Sequence, residues 1–393
     1  MTNTRKWILP VIVIAQFFCT SLWFAGNAIL GDLVNALDLG PSAIGHITSA
    51  VQFGFISGTF CYAALLITDR FPSSPVFFIS SLLAASSNIL LAFVDTDLTG
   101  LMVLRFLTGF FLAGIYPVGM KIASDHFEKG LGKALGFLVG ALVLGTAFPH
   151  LLKSLTTALP WKTVLYFTSA LAVAGGCLML LLVPAGPYQK RSQSLNYRAV
   201  FNVFKNRAFR SAAFGYFGHM WELYAFWAFV PVMLMTYADF HPGEDLNVPA
   251  LSFLVIACGS LACVVGGYLS QRLGTKRTAF TALLLSCMCC IASPFAFYLS
   301  PILFIAFLVF WGLVVIADSP LFSTMVAQNA VADIKGTALT MITCIGFSIT
   351  IASIELLGYL SRHDDSRYIF MILAPGPVLG LLAMIKGRKN PTV

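Results

Sequence analysis

Residues 301–325 read PILFIAFLVFWGLVVIADSPLFSTM, an apolar run whose one charge is Asp318. About 20 such residues, wound as a helix, cross the hydrocarbon of a bilayer. A carboxylate at that depth is costly and marks a functional position. Pro320, two residues on, removes a helix hydrogen bond and frees backbone carbonyls beside it. Asp318-Ser319-Pro320 is thus either a coupling or gating point, or a structural pair for some other polar group. The rest of the chain repeats the pattern. Spans are expected at roughly 7–30, 43–67, 75–94, 98–121, 132–152, 164–184, 211–237, 248–270, 277–299, 301–325, 336–360 and 368–386. The expected fold class is an all-α integral membrane protein.

Composition agrees with the spans. The chain has 393 residues, is 58% hydrophobic and 10% charged, and has a mean hydropathy of +0.86. A soluble protein of that length needs more polar cover. The net charge of +8 is distributed by topology. With the N-terminus inside, about 19 of the 24 Lys and Arg fall on the cytoplasmic side. Lys153, Lys162, Arg362 and Arg367 fall outside, and Arg105 lies within a span. Asp32, Asp38, Asp95, Asp97, Asp239, Glu244, Asp245, Asp364 and Asp365 also fall outside. This positive-inside pattern puts both termini in the cytoplasm, as in a multi-pass protein of the inner (plasma) membrane. It leaves no nucleic-acid role for the basic excess. All nine cysteines lie in spans, so no disulfide framework is expected, and Cys287-Met-Cys-Cys reads as packing groups. Arg5 and Lys6 precede a long apolar block without a small-residue cleavage site, so the first helix is expected to be retained.

A polar, basic loop divides the chain into residues 1–184, a linker at 185–210, and residues 211–393. The two halves repeat weakly at a steady offset. Gly132-Lys-Ala-Leu-Gly136 matches Gly336-Thr-Ala-Leu-Thr340, Pro117 matches Pro320, and Asp69-Arg70 matches Gln271-Arg272. Paired helical halves are a common transporter architecture.

The loop after span eight, Gly267-Tyr-Leu-Ser-Gln271-Arg272-Leu-Gly274-Thr-Lys276-Arg277, resembles the signature loop of the major facilitator superfamily, with Gln in place of Asp. Its N-terminal counterpart keeps Asp69-Arg70 but has Pro72 where the family has Gly. Arg105-Phe-Leu-Thr-Gly109-Phe-Phe-Leu-Ala-Gly114 is similar to the family's second motif, an intramembrane Arg followed by glycines. In span five, Gly132, Gly136, Gly140 and Gly145 form a small-residue stripe for close helix packing. The resemblance implies a bacterial-type member with twelve helices in two pseudo-symmetric halves. It also implies a cytoplasmic latch made by these loops, and a central cavity lined by spans one, four, seven and ten. The Gly-Pro pair that export members often carry in span five is absent, which counts against drug antiport.

Three carboxylates fall within spans: Glu222, Asp318 and Glu355. His219 precedes Glu222 by three positions and shares its helical face. With Arg105, these are the candidate proton-coupling and substrate-binding groups. A buried carboxyl is a group that enzymes and transporters tune for proton exchange. Glu355 is equally an interfacial partner for Arg362 or Arg367. Gln16, Trp23, Asn27, Gln52, Tyr116, Trp221, Tyr224 and Trp227 are the polar and aromatic candidates around a cavity. Aromatics with one carboxylate suit an organic solute with a ring or a cationic nitrogen.

Small-anion porters need fixed positive charge at depth, and only Arg105 supplies it. With no nucleotide-binding Gly-x4-Gly-Lys-Ser/Thr loop, no ATP-driven pump is expected. No Ser/His/Asp set or His-Glu-x-x-His helix points to an enzyme, and no cofactor is expected. The leading expectation is a monomeric secondary transporter of a small organic solute, zwitterionic, cationic or neutral aromatic, with protons and the lipid bilayer as its other partners. The alternatives are a divalent-metal or siderophore-type chelate transporter using His219, Glu222 and Asp318, and a lipid flippase or drug exporter.

Overall fold

The computed structural model describes residues 7–37, 43–93, 97–127, 131–156, 158–189, 203–330, 335–363 and 367–386. Much of the expected linker, with Lys190, Arg191 and Arg198, lies outside them, as do the side chains of Asp69 and Arg362 and the surroundings of Gly132. Among the described residues the regular structure is entirely helical, and nine helices are long and apolar enough to cross a membrane. The shorter apolar helices Ile8–Thr20 and Ile369–Ile385, with the 22-residue helix Ala43–Ala64, complete the twelve crossing segments.

The first compact unit comprises residues 1–192 and 245–260. Its helices are α1 (Ile8–Thr20), α2 (Ala25–Ala28), α3 (Leu30–Leu37), α4 (Ala43–Ala64), α5 (Ile67–Arg70), α6 (Ser73–Leu90), α7 (Leu98–Leu112), α8 (Tyr116–His126), α9 (Leu131–Leu155) and α10 (Lys162–Leu182). The second unit comprises residues 193–244 and 261–393. It opens with α11 (Arg207–Phe240). The chain then passes through α12 (Val248–Ala257), which packs on α9 within the first unit. It continues with α13 (Gly259–Leu273), α14 (Thr275–Ala296), α15 (Pro301–Ala317), α16 (Ser319–Asn329), α17 (Lys335–His363), a 3-10 turn (Ile369–Leu373) and α18 (Pro375–Lys386).

Several crossings are broken, and the residues say why. Span one stops at Thr20, where the Thr20 hydroxyl bonds back to Gln16 O at 2.8 Å and the Ser21 hydroxyl to Phe18 O at 2.7 Å. Such back-bonding competes with the helix ladder. Spans four and ten both break just before a proline. α8 begins Tyr116-Pro117 and α16 begins Ser319-Pro320, each placing the proline in the first turn. There its missing N–H is one the helix would leave unsatisfied anyway. The offset that relates these prolines in sequence therefore relates two equivalent breaks.

Close helix approach depends on only part of the glycine stripe in span five. Among the described glycines of α9, a Cβ on Gly136 would meet nothing within 4 Å and one on Gly140 only ordinary contacts. Gly145 alone is tight, against Thr20 Oγ1 and Phe17 O of α1. The demanding crossing is α4 on α7. A Cβ on Gly54 would fall 2.0 Å from Phe106 O, and one on Gly109 would fall 2.0 Å from Val51 O.

Candidate functional site

The second unit gathers its buried charges around α11. Placed mid-helix, Glu222 is 1% exposed. Trp311 Nε1 of α15 donates to its Oε1 at 2.6 Å, and the Ser286 hydroxyl of α14 donates to the same oxygen. Phe226, one turn along α11, stacks on Trp311 with centroids 4.5 Å apart and planes 29° apart. The indole is thereby held with its N–H toward the carboxylate. Charge-assisted hydrogen bonds of this type are roughly twice as strong as neutral ones.

One turn earlier on the same face, His219 Nδ1 lies 2.8 Å from Asp318 Oδ1. Both side chains are 1% exposed. Asp318 sits at the break between α15 and α16, where its own carbonyl accepts from the Leu321 and Phe322 amides at 3.0 and 2.9 Å. The break thus turns the carboxylate out of the helix and toward α11. Asp318 Oδ2 and His219 Nε2 have no hydrogen-bond partner, leaving capacity for a further donor and acceptor. The site therefore has two stations on one helix face: a carboxyl held by neutral donors, and a carboxylate–imidazole pair.

Around these stations the aromatic candidates divide. Trp221 donates to Ile372 O at 2.9 Å and ties α11 to the 3-10 turn before α18. Tyr224 meets Trp227 and Phe347, at 5.4 and 5.1 Å between centroids. Glu355 is half-buried on α17. Arg367 lies over the Phe240 ring at 4.4 Å and reaches Tyr298 Oη at 3.4 Å. Cys287, Cys289 and Cys290 are buried free thiols on α14. The metal alternative is not supported, because Glu222 is committed to Trp311 and Ser286. Among the described residues no three His, Cys, Asp or Glu side chains form a group able to hold a metal ion.

In the first unit Arg105, 1% exposed, is held by backbone. Its Nη1 donates to Leu22 O at 3.1 Å and to Asn88 Oδ1 at 3.4 Å, and its Nη2 donates to Trp23 O. Leu22 and Trp23 lie in the break of span one, whose carbonyls have lost their helical partners, so the guanidinium replaces the missing ladder. Asn88 is the hub that residue typing missed. Its amide also donates to Thr168 Oγ1 at 3.1 Å and Ser169 Oγ at 3.0 Å on α10. Asn27 joins spans one and two through Thr48 Oγ1 at 2.7 Å. Trp23 packs on Phe55 at 4.8 Å. Gln16 and Gln52 are fully buried, and neither amide has a hydrogen-bond partner. Gln16 Oε1 lies where a Cβ on Gly119 would come within 2.3 Å, so that glycine makes room for it. Tyr116 is half-buried at the start of α8.

Of the expected latch, Arg70, Gln271, Arg272 and Arg277 are exposed and Lys276 is half-buried. Gly274 has φ +89°, which an L side chain rarely adopts, and it joins the end of α13 to the start of α14. The close helix approach in that segment is made by Gly266, where a Cβ would fall 2.9 Å from Ala317 O. Gly267 faces open space.

The chain is similar to known proteins in sequence and in fold. Over 193 residues the chain is 27% identical to the probable galactarate/D-glucarate transporter of Escherichia coli (strain K12), covering 46% of this chain and 42% of that one. Over 163 residues it is 29% identical to the niacin transporter of Acinetobacter baylyi, covering 35% and 36%. The matches thus span less than half the length of either relative. A bacterial homologue of the human lysosomal transporter Spinster, solved in an inward-facing, unoccupied conformation, superposes over 100% of both chains. Its TM-score is 0.75 at 12% identity, a likeness of fold alone. The Major Facilitator Superfamily profile itself matches residues 12–354. The chain is a multi-pass, twelve-helix membrane protein that belongs to the Major Facilitator Superfamily.

Proposed function

We propose that the protein is a secondary active transporter of a small organic solute, working by alternating access in the inner membrane and coupled to protons at Glu222. The observation that carries this reading is the environment of Glu222. It is a buried carboxyl in the centre of a span, held by a tryptophan and a serine rather than by a cation. Such a group binds or releases a proton without making or breaking an ion pair. His219 and Asp318, one turn away, supply the pair whose free valences a substrate or water completes.

The printed names of the relatives, a probable galactarate/D-glucarate transporter and a niacin transporter, support a small organic solute as the class. All three named solutes are organic acids. A protonated Glu222 removes the negative charge that would repel such an acid, which links solute entry to proton uptake.

Purified protein in proteoliposomes, tested with radiolabelled niacin, D-glucarate and galactarate, checks the reading. Uptake of at least one should accelerate under an inward proton gradient and slow when a protonophore collapses it. Uptake of any of them that is indifferent to the gradient would refute the coupling.

A further inference from the structure

Three helix ends of the first unit line a half-open cavity of about 180 Å³ that transport, as proposed, does not use. Its walls are the start of α6, the last turn of α8 and the segment after α10. Ser73, Ser74, Asp125, His126, Gly186 and Gln189 are among the lining residues. The segment after α10 is built to close it. Tyr188 N donates to Asp125 O at 2.9 Å, and a Cβ on Gly186 would lie 2.3 Å from that same carbonyl. Only glycine lets the chain lie so close. Ser74 Oγ, donating to Val183 O at 2.9 Å, ties the same segment to α6.

The polar groups around this space lean one way. α6 is an 18-residue helix that opens on Pro72, with no side-chain cap. Pro75 has no N–H, and the Val76 amide is used by Pro72 O at 3.3 Å. The first-turn amides of Ser73 and Ser74 are therefore left at the positive end of the helix, an arrangement that favours anions. His126 is the second, independent feature. It is 3% exposed, and its Nδ1 is tied to Ile122 O at 2.8 Å on its own helix. Nε2, across the ring, has no hydrogen-bond partner, and His126 is among the residues that line the cavity. A buried ring nitrogen without a partner is disfavoured unless something fills the space beside it. Asp125 also lines the cavity, but Lys121 Nζ lies 3.5 Å from its carboxylate and offsets it.

We infer that this cavity binds a phosphate group, held by the Ser73 and Ser74 amides and by His126 in its imidazolium form, which gives one N–H to Ile122 O and the other, from Nε2, to the phosphate. The phosphate comes either from a small soluble compound or from the headgroup of a phospholipid in the adjoining leaflet, and bound there it braces spans three, four and six against one another. The inference is independent of the proton-coupling reading.

The test uses the full chain in nanodiscs of phosphatidylcholine, titrated with inorganic phosphate against chloride at matched ionic strength. A second arm replaces part of the lipid with phosphatidylglycerol. Ser73→Pro removes one donor at a position where helices accept proline, and His126→Leu removes the ring nitrogen. The wild type should melt at a higher temperature with phosphate, with phosphatidylglycerol, or with both, and the responding arm identifies the source. Each variant should bind about tenfold more weakly, the typical effect of losing one charge-assisted hydrogen bond. Native mass spectrometry, counting retained phosphate or lipid, gives the same readout for a variant that melts early. No response in either arm, or an equal response in the wild type and both variants, would overturn the site.

Discussion

At the scale of single residues, the account turns on what surrounds each buried charge. Trp311→Phe keeps the ring that stacks on Phe226 and removes only the N–H given to Glu222. Removing a hydrogen bond to a charged group costs about 1.5–3 kcal/mol. The substitution should therefore displace the pH profile of uptake while leaving thermal stability within a few degrees. A profile that coincides with the wild type would show that the indole does not hold the coupling carboxyl. Asn88→Leu makes the contrasting prediction, because Asn88 serves the Arg105 guanidinium and two hydroxyls of α10 at once. Leaving those buried groups short of a partner costs about 1–3 kcal/mol, to be read as a lower melting temperature in detergent. Glu222, His219, Asp318 and Arg105 stood out in the sequence because charge inside an apolar span is rare, and the structure buries all four. Their partners did not stand out. Ser286 and Trp311 lie 64 and 89 positions from Glu222 and are ordinary residues of apolar helices. Arg105 is held largely by backbone carbonyls, which carry no residue signature at all.

At the scale of helices, the breaks matter more than the lengths. The prolines that open α8 and α16 sit where spans four and ten break, but proline alone does not mark a break, since Pro149, Pro231 and Pro294 lie inside continuous helices. The break in span one carried no such marker. It arises from Thr20 and Ser21 hydroxyls that choose their own backbone, and from an Arg105 in another helix that accommodates the result. Glycine spacing was a partial guide for a related reason: Gly145 of the span-five stripe and Gly109 of the second motif are tightly packed, whereas Gly136 and Gly140 are not. A regular stripe gives a face, but only packing says whether anything approaches it. Gly109→Val and Gly54→Val should each destabilise by about 1–3 kcal/mol, the usual cost of overpacking, because each new side chain would run into the backbone of the facing helix. Gly136→Ala, where a Cβ meets open space, should be neutral or slightly stabilising. Thermal unfolding of the three variants side by side checks the ranking, and a Gly136→Ala variant as damaged as the other two would contradict it.

For the whole molecule, the twelve crossings were readable from apolar blocks set between polar turns, although by length and hydropathy only nine of the described helices qualify individually. Membership of the Major Facilitator Superfamily agrees with them. Topology is the expectation still open to direct test: single cysteines introduced at Asn3 and Thr392 in a background lacking reactive thiols should both react with membrane-impermeant maleimide only in inside-out vesicles. Opposite accessibility of the two would contradict an even number of crossings. The central claim is that Glu222 carries the coupling proton, and Glu222→Gln in proteoliposomes tests it most directly. Glutamine keeps the shape and an acceptor for Trp311 and Ser286 but cannot exchange a proton. Gradient-driven accumulation should vanish in this variant while solute exchange at equal pH on both sides continues. Accumulation that persists with its full dependence on the proton gradient would contradict the account.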